Sequence, residues 1–169
     1  MKTQGKMIYN FEEHGLYYEK NFSGVPYFSL TINTLELLFD LSNGRLLWVS
    51  GYLPLVQAMR KNIPMLRHSE RDFFLENIGQ EGFRRATAYN IFEVMPLTKK
   101  YFQDVAIKLD PLKGIIQLGA EIELHEEVFS VDKNIFYAVD SDGTLKSLCL
   151  VPDEFLNAEL EQEVGDLTQ

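Results

Sequence analysis

Apolar and polar positions alternate with period two over three stretches of the chain, and each stretch is broken by a short polar turn ending in Gly. They run from Leu35 to Val49 around Ser42-Asn43-Gly44, from Val105 to Leu118 around Asp110-Pro111-Leu112-Lys113-Gly114, and from Ile135 to Val151 around Asp140-Ser141-Asp142-Gly143. Alternation buries one face of a strand, and Asn and Gly tolerate the positive φ of tight turns, so each stretch predicts a β-hairpin. Phe28, Leu30 and Ile32 alternate in the same way ahead of Asn33-Thr34, which makes residues 25–53 a three-stranded meander closed by Leu53-Pro54. A further strand is expected within Gly15–Phe22, and another over Ala88–Val94.

The middle and the end of the chain read differently. Leu55, Ala58, Met59 and Asn62 fall on one side of a short helix bounded by Pro64. Ser69, with Asp72 three residues on, has the form of an N-cap for a helix ending near Gly79. Asp153 can cap a last helix over 154–164, where Leu156, Leu160 and Val164 make a narrow apolar stripe on an acidic rod. The fold class expected is therefore α+β: a predominantly antiparallel β-sheet, short helices in the middle, and an acidic C-terminal helix. With 169 residues, a single domain is expected, residues 153–169 being its helix or tail.

The hairpin signatures have no fixed period, which argues against a solenoid or propeller. Gly44 to Pro54 and Gly143 to Pro152 share a Gly-polar-Leu start and an apolar-Pro end, which common turn-and-strand chemistry explains more cheaply than duplication.

Charge narrows the partner. The net charge is −9, and six acids with no Lys or Arg stand in residues 153–169, leaving −3 for the rest. A nucleic-acid binder needs a clustered cationic surface, so none is expected as partner. No apolar run nears the ~20 residues that cross a bilayer, and the start of the chain has no apolar signal region. Cys149 is the only cysteine, and a reducing cytoplasm is the expected location.

Candidate chemistry changes little. His14 and His125 lie beside Glu pairs, but strand neighbours point to opposite faces, so charged surface accounts for them better than acid–base work. Reading Asp140-Ser141-Asp142-Gly143 as a calcium loop would put Ala138 and Cys149 where acidic ligands belong. Gly79-Gln80-Glu81-Gly82 carries Glu81 where a phosphate loop needs none. No catalytic residue, metal site or cofactor is expected. What remains is surface: Trp48 and Tyr52 on one strand face, and Glu154, Glu159, Glu161 and Glu163 at the acidic end. The leading expectation is a non-catalytic protein-binding module, of the character of small acidic immunity proteins that neutralise basic toxins. The alternative is a small-molecule binder or enzyme with an apolar pocket in a curved sheet, with Arg84, Arg85 and Tyr89 as its polar contacts. Self-association through Leu156, Leu160 and Val164 is a third reading.

Overall fold

The computed structural model describes residues 5–19, 24–64, 68–75, 82–104, 106–123 and 126–158. The first sheet is built on β1 (Lys6–Asn10), β2 (Gly15–Glu19), β3 (Tyr27–Ile32), β4 (Leu35–Asp40) and β5 (Leu46–Tyr52). Three short strands follow, β6 (Met59–Arg60), β7 (His68–Glu70) and β8 (Ala88–Asn90), then two four-residue helices, α1 (Ile91–Val94) and α2 (Lys99–Phe102). The second sheet is built on β9 (Lys108–Asp110), β10 (Ile115–Gly119), β11 (Val128–Ser130), β12 (Ile135–Val139) and β13 (Leu145–Leu150), and the last strand is β14 (Glu154–Leu156).

The strand order is β14-β1-β2-β5-β4-β3-β8 in one sheet and β6-β9-β10-β13-β12-β11-β7 in the other. In each, five antiparallel strands are flanked by an edge strand running parallel to its neighbour. Both sheets are therefore mixed, and the expected α+β class with an acidic C-terminal helix is corrected to a mostly β fold.

Three of the corrections have a common cause. Where the sequence suggests a helix over Leu55–Asn62, Met59 and Lys61 donate their N–H groups to Ile107 and Leu109 carbonyls at 2.8 and 3.0 Å, as an edge strand does. Ser69 caps nothing, because His68–Glu70 pair in parallel with Val128–Ser130; residues 76–81 lie outside the described part. Asp153 opens no helix either: its carboxylate accepts the Met7 N–H at 2.9 Å, and Glu154–Leu156 pair with Ile8–Asn10. The rest of that predicted helix, 159–164, lies outside the described residues. Ala88–Val94 is a strand only to Asn90, whose side chain then caps α1 by accepting the Phe92 N–H at 2.8 Å. Unpaired sheet edges outbid weak helical patterns at Met59–Arg60, His68–Glu70 and Glu154–Leu156, whereas after Asn90 a capped helical turn cuts an expected strand short.

The two sheets repeat one another. Tyr9 opposes Leu16 and Leu109 opposes Ile116, an offset of 100 residues. Leu37 opposes Val49 as Tyr137 opposes Leu148, with the register shift falling after Leu38 in one and after Ala138 in the other. The turns match too: Asn10 accepts the Glu12 N–H at 3.0 Å and Asp110 the Leu112 N–H at 3.1 Å, and the left-handed position is His14 (φ 54°) in one and Gly114 (φ 67°) in the other. Gly44–Pro54 and Gly143–Pro152 thus lie on corresponding strands, and the likeness between them belongs to a repeat that spans five strands each time.

Edge strands are exchanged between the repeats. The first half of the chain supplies β6 and β7, the two edges of the second sheet, and the second half supplies β8 and β14, the two edges of the first. The inner faces of both sheets meet in one core that includes Met7, Tyr9, Leu37 and Val49 from the first and Leu109, Ile116, Tyr137 and Leu148 from the second. No helix among the described residues is long and apolar enough to cross a membrane.

Asp110 ties β9 to the crossover after β6, accepting the Ile63 N–H at 2.8 Å as well as those of Leu112 and Lys113. Burial pushes its pKa up, but the N–H groups of Ile63, Lys113 and Leu112 outweigh burial and hold it below the ordinary value. A carboxylate lowered in the folded state stabilises the fold above its unfolded pKa and stops doing so as pH falls through the folded one. Stability is expected to drop below about pH 4, and Asp110→Asn to remove part of that acid dependence. Urea midpoints of the two proteins near neutral pH and near pH 3 check this; equal acid losses would show that Asp110 is not responsible.

Candidate functional site

Because the inner faces are spent on the core, any site must be sought on the outer faces, at the rims or in the crossovers. The two outer faces hold different residues at corresponding places. On the second sheet these are Ile115, Gln117, Val128, Phe136, Ala138 and Cys149, and on the first Gly15, Tyr17, Ser29, Glu36, Leu38 and Ser50.

The apolar set is covered by the chain itself. Ile63, from the segment after β6, and Ile122, from the segment after β10, join Ile115, Val128, Ala138 and Cys149 in a second, smaller core. A shallow apolar cleft of about 80 Å³ remains between them, with His68 at its rim edge-on to Phe136 at 5.0 Å. Burial pushes the Cys149 thiol up to about 12, so it stays protonated and unreactive at neutral pH.

Among the described residues, the outer face of the first sheet stays open around Tyr17 and Tyr52. Tyr17 and Tyr52 are 46% and 51% exposed there, and Tyr52 stands opposite Gly15 on the neighbouring strand. Tyr17 lies back over Gly15: its ring stands 3.1 Å from where a Cβ on residue 15 would be, so the glycine is the floor on which the ring rests. The Tyr17 hydroxyl donates to Glu13, and His14 meets Tyr52 edge-on at 6.1 Å. Hydrogen bonding to Glu13, then burial, raises the Tyr17 pKa, so the ring is neutral at physiological pH.

This face is acidic. In the seven strands of the first sheet Lys6 is the only cation, against Glu19, Glu36, Asp40 and Glu154, and Lys6 is ion-paired with Glu154 at 3.0 Å. Glu12 and Glu13 add two exposed carboxylates at the β1–β2 turn.

No protein-family model and no curated protein matches this chain.

Of the residues singled out in the sequence, Tyr52 and Glu154 share this open face. Trp48 points the same way but is half-buried: its ring packs against the core 6.0 Å from Tyr18, beyond the point where β2 pairs with β5 at Leu16 and Gly51. Glu159, Glu161 and Glu163 lie outside the described residues. Arg84 and Arg85 are exposed on the approach to β8, and the Arg84 N–H donates to the Tyr89 hydroxyl at 2.8 Å. Tyr89 packs its ring edge-on to Phe28 and Phe83.

Two further hollows have other linings. A groove of about 400 Å³ runs between Phe73–Leu75, Val94–Thr98 and the Asp142–Leu145 turn, and one of about 190 Å³ lies at the sheet ends around Asn33, Thr34 and Tyr52. Arg84, Arg85 and Tyr89 line neither. Among the described residues no group of three or more His, Cys, Asp or Glu is placed to hold a metal.

Tyr17, Glu13 and Gly15 were not singled out in the sequence. The alternation Gly15-Leu16-Tyr17-Tyr18-Glu19 puts Tyr17 and Glu19 on one face and was their available signal.

Proposed function

We propose that this protein is a non-catalytic protein-binding module whose contact surface is the open outer face of the first sheet and whose partner is a basic protein. The observation that carries this is the difference between two corresponding faces. One is mostly apolar and largely covered by the chain's own Ile63 and Ile122, while the other presents Tyr17 and Tyr52 at half exposure amid carboxylates. Exposed tyrosines supply contact area at low entropic cost, and like-signed carboxylates around them speed encounter with a cationic surface. The net charge of −9 acts in the same direction over longer range. Inhibition of a basic protein, in the manner of an immunity protein, is the biological form this reading takes. A lone, buried thiol suits action in the cytoplasm.

The test is affinity purification of the tagged protein and of its Tyr17→Ser/Tyr52→Ser variant from the native host, each at low and high salt. A basic protein is expected with the parent at low salt, reduced at high salt, and at least tenfold depleted with the variant, since each aromatic anchor contributes about 2 kcal/mol. Equal recovery by parent and variant would remove this face from the interaction.

A further inference from the structure

The second sheet shows, within the same chain, how this fold closes an outer face. Beyond β6 the chain passes over the β9–β10 turn, where Asp110 accepts the Ile63 N–H at 2.8 Å and Lys113 donates to the Ile63 carbonyl at 2.6 Å and to Asn62 at 2.9 Å. Held in this way, Ile63 joins Ile115 in one apolar cluster.

The register carries this arrangement onto the first sheet. Met59 pairs with Lys108 as Glu154 pairs with Ile8, so Asn157 takes the place of Asn62, and Ala158 that of Ile63. Asn157 does reach the turn, donating to Asn10 at 2.9 Å and to Glu12 at 3.4 Å. There the correspondence ends. Ala158 is exposed, Gly15 stands where Ile115 is, and Glu13 stands where Lys113 grips the Ile63 carbonyl. A carboxylate repels a carbonyl oxygen and accepts from a donor, so the closing device has been turned from one that holds the chain's own backbone into one that holds a donor.

We propose that this position, which no described residue fills, takes an arginine or lysine side chain of the partner, laid on the Tyr17 ring over Gly15, flanked by Tyr52, with its cationic head at Glu12 and Glu13. The proposal rests on the reading above that a basic protein binds this face. Its chemistry is that of a cation against tyrosine ring faces, completed by charge-assisted hydrogen bonds to carboxylates.

The probe is the peptide acetyl-Arg-Ile-Arg-Ile-amide, titrated into the isotope-labelled full chain while backbone amide shifts are followed. Its control has citrulline for each arginine, which keeps shape and removes charge. Saturable shifts centred on Gly15, Tyr17 and Tyr52 are expected, about tenfold weaker for the citrulline peptide and for Glu13→Gln with the arginine peptide. Shifts centred elsewhere, or equal binding of the two peptides, overturn the proposal. So does a change in these amides on deleting residues 159–169 without any peptide, because the chain's own end would then fill the position. Should a basic protein be purified through this face while the peptide fails at Gly15, this proposal falls and the binding-module reading stands.

Discussion

A chain ending at Pro152 is expected to lose most of its stability, although it lacks only 17 of 169 residues. The loss begins with the first sheet's edge, where β14 covers β1 from Ile8 to Asn10 and Leu156 accepts the Phe11 N–H at 3.0 Å. Asp153 goes with it. That residue accepts from the Met7 N–H at 2.9 Å and from Asn134 at 3.0 Å, donates its own N–H to the Met7 carbonyl at 2.8 Å, and is ion-paired with Lys133 at 3.1 Å. Phe155 is lost as well, with its ring stacked on Phe11 at 5.8 Å and near Tyr9 at 6.1 Å.

Half-burying a Phe stabilises by about 1 kcal/mol, and each of these hydrogen bonds contributes ~1 kcal/mol. Their sum approaches the ~5–15 kcal/mol that holds a domain together. Urea unfolding of the chain ending at Pro152 is the measurement, with a chain ending at Ala158 for comparison because it keeps β14. A cooperative transition at the same midpoint in both would show that the exchanged strand is not needed.

Strand pairs were far more legible in the sequence than what lies at their edges. The pairs β4–β5, β9–β10 and β12–β13 all turn at a Gly after a short polar run, and alternation marks which residues face inward. The edge strands have no such mark. β6, β7, β8 and β14 have two or three residues each and pair in parallel with strands distant in sequence, and of the four only β8, within Ala88–Val94, shows in the local pattern. At Ser69 and Asp153 the local signal pointed to helix caps, and remote pairing overrode it.

The repeat was hidden by one residue. The β1–β2 turn reaches its left-handed position with His14 where β9–β10 uses Gly114, and without the glycine that first hairpin went unread. With it, hairpins near 6, 35, 108 and 135 show the spacing that three alone did not. The site was half legible: Tyr52 follows from the strand pattern, but the open position above the Tyr17 ring appears only when the two faces are compared.

Neither half of the chain is expected to fold alone, while the two together should restore the native sheets. A division after Ala86 puts β1–β7 on one fragment and β8–β14 on the other. Each fragment then keeps five strands of its own sheet and loses both of that sheet's edges to the other. Each also bares its inner face, with Tyr9, Phe28 and Leu37 on one and Leu109, Tyr137 and Leu148 on the other. At about 2 kcal/mol per exposed side chain, three such residues and their neighbours outweigh what five short strands hold. Circular dichroism of each fragment should show no cooperative melt, and an equimolar mixture should recover one through a concentration-dependent step. A monomeric fragment that unfolds cooperatively by itself would mean that the halves are independent and the exchanged strands incidental. A fragment that pairs with its own copy would extend the argument: the edges it offers are shaped for a sheet of the same order, so two identical halves would be closing the interlock that the native chain closes with two different ones.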